Sequence, residues 1–153
     1  MFPVDQLSIV QPHLVQPGTV LLGGAQYNYP PMFVFEIGEE KFRFDFDTGK
    51  EGFTAMAMAI NLSRYFHAGE ATVLVDLAST VSPTRSDIPL GSVVLIGDTV
   101  CFAIKINYGT AYVTLEGALL EDPRSYENIV AFAKWKIVVP ALDDEWHMVY
   151  EAQ

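Results

Sequence analysis

From Met32 to Phe46 the chain reads MFVFEIGEEKFRFDF, and no other stretch limits its folding choices so sharply. Phe42, Phe44 and Phe46 fall on one side of an extended strand, and Lys41, Arg43 and Asp45 on the other. A period of two belongs to a strand with one dry and one wet face, not to a helix. Gly38-Glu39 interrupts the apolar run at its middle, so the stretch is expected to form a hairpin over 32–46.

The neighbouring segments supply more strand signals. GTVLLGGAQY (18–27) reads as a first strand. Further along come ATVLVDLAST (71–80), SVVLI (92–96), TVCFAIKI (99–106), TAYVTLEGALL (110–120) and NIVAFAKWKIVV (128–139), all rich in β-branched and aromatic residues. Gly91, Gly97-Asp98, Asn107-Tyr108-Gly109 and Asp122-Pro123 punctuate them at hairpin spacing, which argues an antiparallel meander. Pro140 ends the last of these strands, and ALDDEWHMVYEAQ follows as an acidic tail or an extra edge element.

One stretch breaks the pattern. DTGKEGFTAMAMAINLSRYF (47–66) has apolar residues with no continuous polar stripe, a turn before it and His67-Ala68-Gly69 after it. These features predict a helix over roughly 51–67, buried on most sides and wrapped by the curved sheet, with His67 capping its last carbonyls. The expected architecture is therefore α+β, with one long central helix against a curled antiparallel sheet.

Composition sets outer limits. The 153 residues are expected to form one domain over 1–153, with a core at roughly 15–139 and an acidic C-terminal extension at 140–153. Half of the residues are hydrophobic, as a packed chain requires. A formal net charge of −10 repels a phosphate backbone, so nucleic acid is not an expected partner. Cys101 is the only cysteine and leaves no intramolecular disulfide or cysteine-rich metal site; it reads as a buried hydrophobe. No apolar run reaches the ~18 residues of a membrane span, so no membrane insertion is expected. MFPVDQLSIV lacks a basic leader and carries Asp5, so it does not read as a signal peptide and a cytoplasmic setting is expected.

The second half, VLIGDTVCFAIKI, YVTLEGALLED and ENIVAFAKWKIVV, resembles the hot-dog fold of acyl-thioester hydrolases and dehydratases. A narrower resemblance is to the FcoT-like long-chain fatty-acyl-CoA thioesterases. It rests on AQY (25–27), FEIGE (35–39) and the spacing from Gly49 to Asn61. That family's helix asparagine falls on Asn61, its asparagine near the helix start on Gly52, its tyrosine after the I-G-E stretch on Phe42, and an N-terminal tyrosine near His13. The resemblance implies an acyl-CoA or acyl-carrier-bound thioester as substrate, no cofactor, and a homodimer or higher homo-oligomer joined edge to edge.

On this resemblance the expected function is thioester hydrolysis in an apolar acyl channel beside the helix. Non-catalytic acyl or lipid binding is the first alternative and a dehydratase the second. A different curved-sheet fold with a pocket for a hydrophobic small molecule is a further competitor. Asn61, Gly52 and Asp47 are the catalytic candidates: Gly52 lets a carbonyl approach free N–H donors at the helix start, Asn61 orients water, and Asp47 reaches the thioester carbon. His13, Phe42, Phe53, Met56 and Arg64 are the substrate-binding candidates, Phe53 and Met56 suiting a flexible acyl chain. Lys41, Arg43, Lys50 and Arg64 are candidates for a CoA phosphate site. Asp45 and Asp76 are further acids, Asp76 expected as a buried acid or, more simply, on the wet face of its strand. DDEWH (143–147) reads as a solvated tail, and no metal site is expected.

Overall fold

Alternating and β-branched segments pair into three antiparallel sheets in the computed structural model. It describes residues 7–23, 30–47, 49, 52–58, 65–67, 69–81, 88–107, 109–120, 128–140 and 146–152. Strands β1 (Ser8–Val10), β2 (Val20–Leu22), β3 (Met32–Ile37), β4 (Glu40–Asp45), β5 (Met56–Ala57) and β6 (Tyr65–His67) form the first sheet, in the order β1-β6-β2-β3-β4-β5. The second contains β8 (Thr80–Val81), β9 (Val93–Ile96), β10 (Thr99–Ile106), β11 (Gly109–Thr114) and β12 (Ile129–Phe132), in the order β11-β10-β9-β12-β8. The third joins β7 (Thr72–Val75), β13 (Trp135–Pro140) and β14 (Trp146–Ala152), in the order β14-β13-β7.

The 32–46 hairpin forms as its alternation requires. Phe33 faces Phe44 and Phe35 faces Phe42 across the ladder, with Gly38 in the turn at φ 64°. Phe44 and Phe46 are buried, while Lys41, Arg43 and Asp45 on the other face are only half-buried. Strands β9, β10 and β11 make the expected meander, but β12 returns to the far side of β9.

The expected central helix is not there, and the hot-dog architecture falls with it. Among the described residues no helix reaches seven residues, and the helical pieces are the 3-10 turns Pro12–Leu14 and Leu77–Ser79. Gly52 and Phe53 form a turn, Met56–Ala57 is strand β5 beside β4, and Tyr65–His67 is strand β6 between β1 and β2. His67 therefore pairs with Ser8 in a ladder and caps no helix. An apolar run without a polar stripe is also compatible with short strands and turns, and here only Phe53 and Tyr65 of its described residues are buried while Ala57 on the edge strand β5 is exposed. Residues 59–64, with Asn61 and Arg64, lie outside the described residues.

Three single bridges turn the first two sheets into a closed ring. Thr54 lies parallel to Lys105, with Ala55 N donating to Lys105 O at 2.8 Å and Lys105 N to Phe53 O at 2.7 Å. Val113 lies antiparallel to Leu119, and Ala118 lies parallel to Glu36, whose N–H donates to Gly117 O at 2.8 Å. The ring thus runs β3, β4, 54–57, β10, β11, 118–119 and back to β3. A barrel this small is filled by side chains rather than solvent. Phe33, Phe35, Phe44, Phe46, Phe53 and Phe102 share the main core cluster. Phe33 meets Phe102 edge-on at 5.2 Å, linking the first sheet to the second. Each such ring pair contributes ~0.5–1.5 kcal/mol beyond burial of its area.

Strands β12 and β13 are one run of chain bent at Ala133-Lys134. Opposite the bend sits the Leu77–Ser79 turn, capped by Asp76, whose carboxylate accepts from Ala78 N at 2.9 Å. Lys134 N donates to Ser79 Oγ at 3.0 Å and Asp76 N to Lys134 O at 2.9 Å, so the bend keeps its backbone groups paired. Such a bend lets one strand leave one sheet and enter another. The C-terminal segment takes the edge-element alternative: Trp146–Ala152 is β14, paired along β13.

Candidate functional site

Where the bent strand, the barrel and β14 meet, a cleft of about 390 Å³ opens, bordered by Asp47, Gly52, Phe53, Leu90, Ser92 and Tyr150. Its first wall is the tight turn that leaves β4. Asp45 O accepts from both Asp47 N and Phe53 N at 3.0 Å, folding 45–53 back on itself. The Asp47 carboxylate accepts from Gly49 N at 3.0 Å, and Gly52 N donates to Gly49 O at 3.0 Å. Gly52 is obligatory here, because a Cβ would drive into the carbonyl of Asp47. Phe53 holds φ 52°, a region that side-chain-bearing residues rarely occupy. The buried ring, packed 5.8 Å from Phe44 and 6.1 Å from Trp135, keeps it there.

The second wall is the turn before β9. Gly91 N donates to Ala103 O at 2.8 Å, Ser92 Oγ donates to Pro89 O, and Trp135 Nε1 donates to Gly91 O at 2.8 Å. Tyr150, from β14, closes the cleft. Its ring lies 5.4 Å from Phe46, 6.0 Å from Phe53 and 5.2 Å from Trp135. Its hydroxyl is buried and has no hydrogen-bond partner among the described residues. Burial, and then the charge of Asp47, raise the Tyr150 pKa, so the phenol keeps its proton at neutral pH. Asp45, behind Asp47, is also raised: burial leads, Arg43 at 3.1 Å pulls it down, and Asp47 pushes it up.

Of the residues expected in a site, Asp47, Gly52 and Phe53 come together on this cleft. Gly52 is not at a helix start, so it offers no row of free helix N–H groups. Phe42 stacks on Phe35 at 5.8 Å at the core's margin, and Met56 pairs with Arg43 across β4–β5. His13 sits in the Pro12–Leu14 turn, and its buried Nδ1 has no partner among the described residues. Two of the expected phosphate ligands are already engaged. Lys41 Nζ donates to Val15 O at 2.7 Å and to His13 O at 3.1 Å, and Arg43 pairs with Asp45. Lys50 and Arg64 lie outside the described residues. Asp76 is exposed and is not a buried acid. Sequence reasoning missed Ser92, Gly91 and Tyr150. The β-prone run MVY after the acidic residues was the available signal for Tyr150.

Among the described residues there is no group of three or more His, Cys, Asp or Glu side chains that could hold a metal ion. No helix among them is long and apolar enough to cross a membrane. Fold and cleft together define the class: a sheet-rich protein with a closed aromatic barrel and a lateral cleft. No family model, curated protein or solved structure matches the chain.

Proposed function

We propose that the chain is a small-molecule binding protein whose ligand occupies the cleft between Asp47 and Tyr150. The observation that carries this reading is the Tyr150 hydroxyl. A buried donor left without a partner costs ~1–3 kcal/mol, and such groups in native proteins are completed by a water or a ligand atom. The strained backbone at Phe53 supports the same place, since strain of this kind concentrates at ligand clamps. The cleft's size is at the small end of the range for small-molecule sites.

Hydrolysis of an acyl thioester is the second reading, favoured by Asp47 lying beside Gly52 and Phe53 on one cleft. On that reading Asp47 acts as base or nucleophile and the phenol of Tyr150 donates to the developing oxyanion. Binding ranks first because Asp47 already accepts a backbone N–H and, among the described residues, the other titratable side chain on the cleft is Tyr150, whose pKa is raised above its ordinary value.

The test is ligand-observed NMR with a fragment set, comparing the native chain with Ala133→Trp, which fills the cleft. Fragments that bind the native chain and are lost in the filled variant support the reading. Absence of hits, or hits that survive filling, overturns it. Thiol release from acyl-CoAs of increasing chain length, abolished by Asp47→Asn, would replace binding with hydrolysis.

A further inference from the structure

The cleft's lining says which end of a ligand it favours. Among the described residues that border it the charged side chain is Asp47, and none of them is a lysine or arginine. Arg43, on the strand that leads to Asp47, is committed to Asp45 at 3.1 Å. Beside the carboxylate stand two aromatic rings, Phe53 and Tyr150, 6.0 Å apart and inclined at 70°, so they form a corner rather than a flat wall. Trp135 backs both, at 6.1 Å from Phe53 and 5.2 Å from Tyr150. Aromatic rings carry negative potential on their faces, so an aromatic wall beside a carboxylate favours a positive charge over a negative one.

We propose that the cleft binds an organic cation, a substituted ammonium group seated against Phe53 and Tyr150 and facing the Asp47 carboxylate. This rests on the binding reading above and names its ligand class. Long-range electrostatics act in the same direction, because a chain of net charge −10 draws cations towards it and repels carboxylates and phosphates. A methylated ammonium fits better than a metal ion, since the walls offer carbon surface and few oxygen ligands. The Tyr150 oxygen can accept from an N–H of a primary or secondary ammonium, while its O–H remains a donor for an oxygen elsewhere on the ligand or a water.

Choline and 3,3-dimethylbutan-1-ol test this directly, because they share size and shape and differ in the charged nitrogen. Isothermal titration of the native chain should show choline binding about tenfold tighter than its neutral isostere, the difference that ~1.4 kcal/mol provides. Asp47→Asn, which retains an oxygen for Gly49 N–H, should remove most of that preference and leave the isostere's affinity unchanged. Tyr150→Leu should weaken choline, while Tyr150→Phe, which keeps the ring, should preserve most of its binding. Equal or tighter binding of the isostere overturns the cation proposal and leaves the binding reading standing. Cation preference that survives Asp47→Asn and Tyr150→Leu together also overturns it. If neither compound binds, the cation proposal fails; if the fragment set fails as well, so does the binding reading.

Discussion

Trp135 Nε1 donates to the carbonyl of Gly91 at 2.8 Å, tying the strand that leaves the second sheet to the turn that begins β9. The same Gly91 lies over the ring of Phe53, where a Cβ would come within 2.8 Å of Cδ2, and it holds φ 80°. One turn thus fixes an indole and a phenyl ring together, and both shape the cleft.

Replacing Trp135 by Phe should therefore cost about 2–4 kcal/mol in urea unfolding, from the lost hydrogen bond and the smaller ring in a fully packed place. Cleft binding should weaken with it, because Tyr150 stacks on Trp135 at 5.2 Å. Unchanged stability would show that the indole is not a support.

Two glycines cross at the barrel's seam. Gly117 has φ 82°, and a Cβ on it would strike the backbone N of Gly18 and Pro17; Gly18 has φ 86° and meets Leu115 O and Glu116 in the same way. Gly117→Ala should destabilise by about 2–4 kcal/mol, the sum of backbone strain and a clash that no side-chain movement relieves. Gly38→Ala is the control. It also has positive φ but nothing within 4 Å, so its loss should stay near ~1 kcal/mol.

The thiol of Cys101 is fully buried, and burial, followed by the charge of Glu116, pushes its pKa from 9.0 to about 11. A folded-state pKa above the unfolded one means stability is complete below pH 9 and falls as pH rises from 9 towards 11. Tyr112 and Tyr150 are raised as well and extend the loss to higher pH. Cys101→Ser should flatten the early part of that alkaline decline in thermal melts. In the native chain, thiol reagents should label Cys101 only at the rate of unfolding.

Asp45 works in the acid range with the same sign. Its raised pKa means that the fold holds the protonated carboxyl better than the charged one, so its contribution weakens as pH rises through the carboxylate range. Asp45→Asn should make stability less dependent on pH there and, at neutral pH, hold or improve it. A marked loss at neutral pH would mean that the pair with Arg43 outweighs burial.

Strands were legible wherever one face met water. Strand β4 has one core face and one half-wet face, so its alternation survives in the sequence, whereas Met32 to Phe35 of β3 are buried on both faces; β10 was bounded correctly by Gly97-Asp98 and Asn107. The 51–67 run misled because its described pieces are a turn and strands of two and three residues, too short to show a period, so a run of apolar residues read as helix. The site was half legible for a related reason. Asp47, Gly52 and Phe53 are neighbours in sequence, whereas Ser92 and Tyr150 reach them only through two further turns of chain. Lys41, read as a candidate phosphate ligand, donates instead to the carbonyls of His13 and Val15, and His13 lies away from the residues that border the cleft.

The ring of strands closes through Glu36–Ala118 and Thr54–Lys105, partners far apart along the chain. During synthesis, the phenylalanines of β3 and β4 have no opposite wall until β10, β11 and residue 118 have left the ribosome. The nascent N-terminal half must wait, with its stickiest surface bare, for the C-terminal half to arrive. A fragment ending before β10 should therefore precipitate or bind chaperones rather than fold, and a slow translational pause after Tyr65 would lengthen that vulnerable interval.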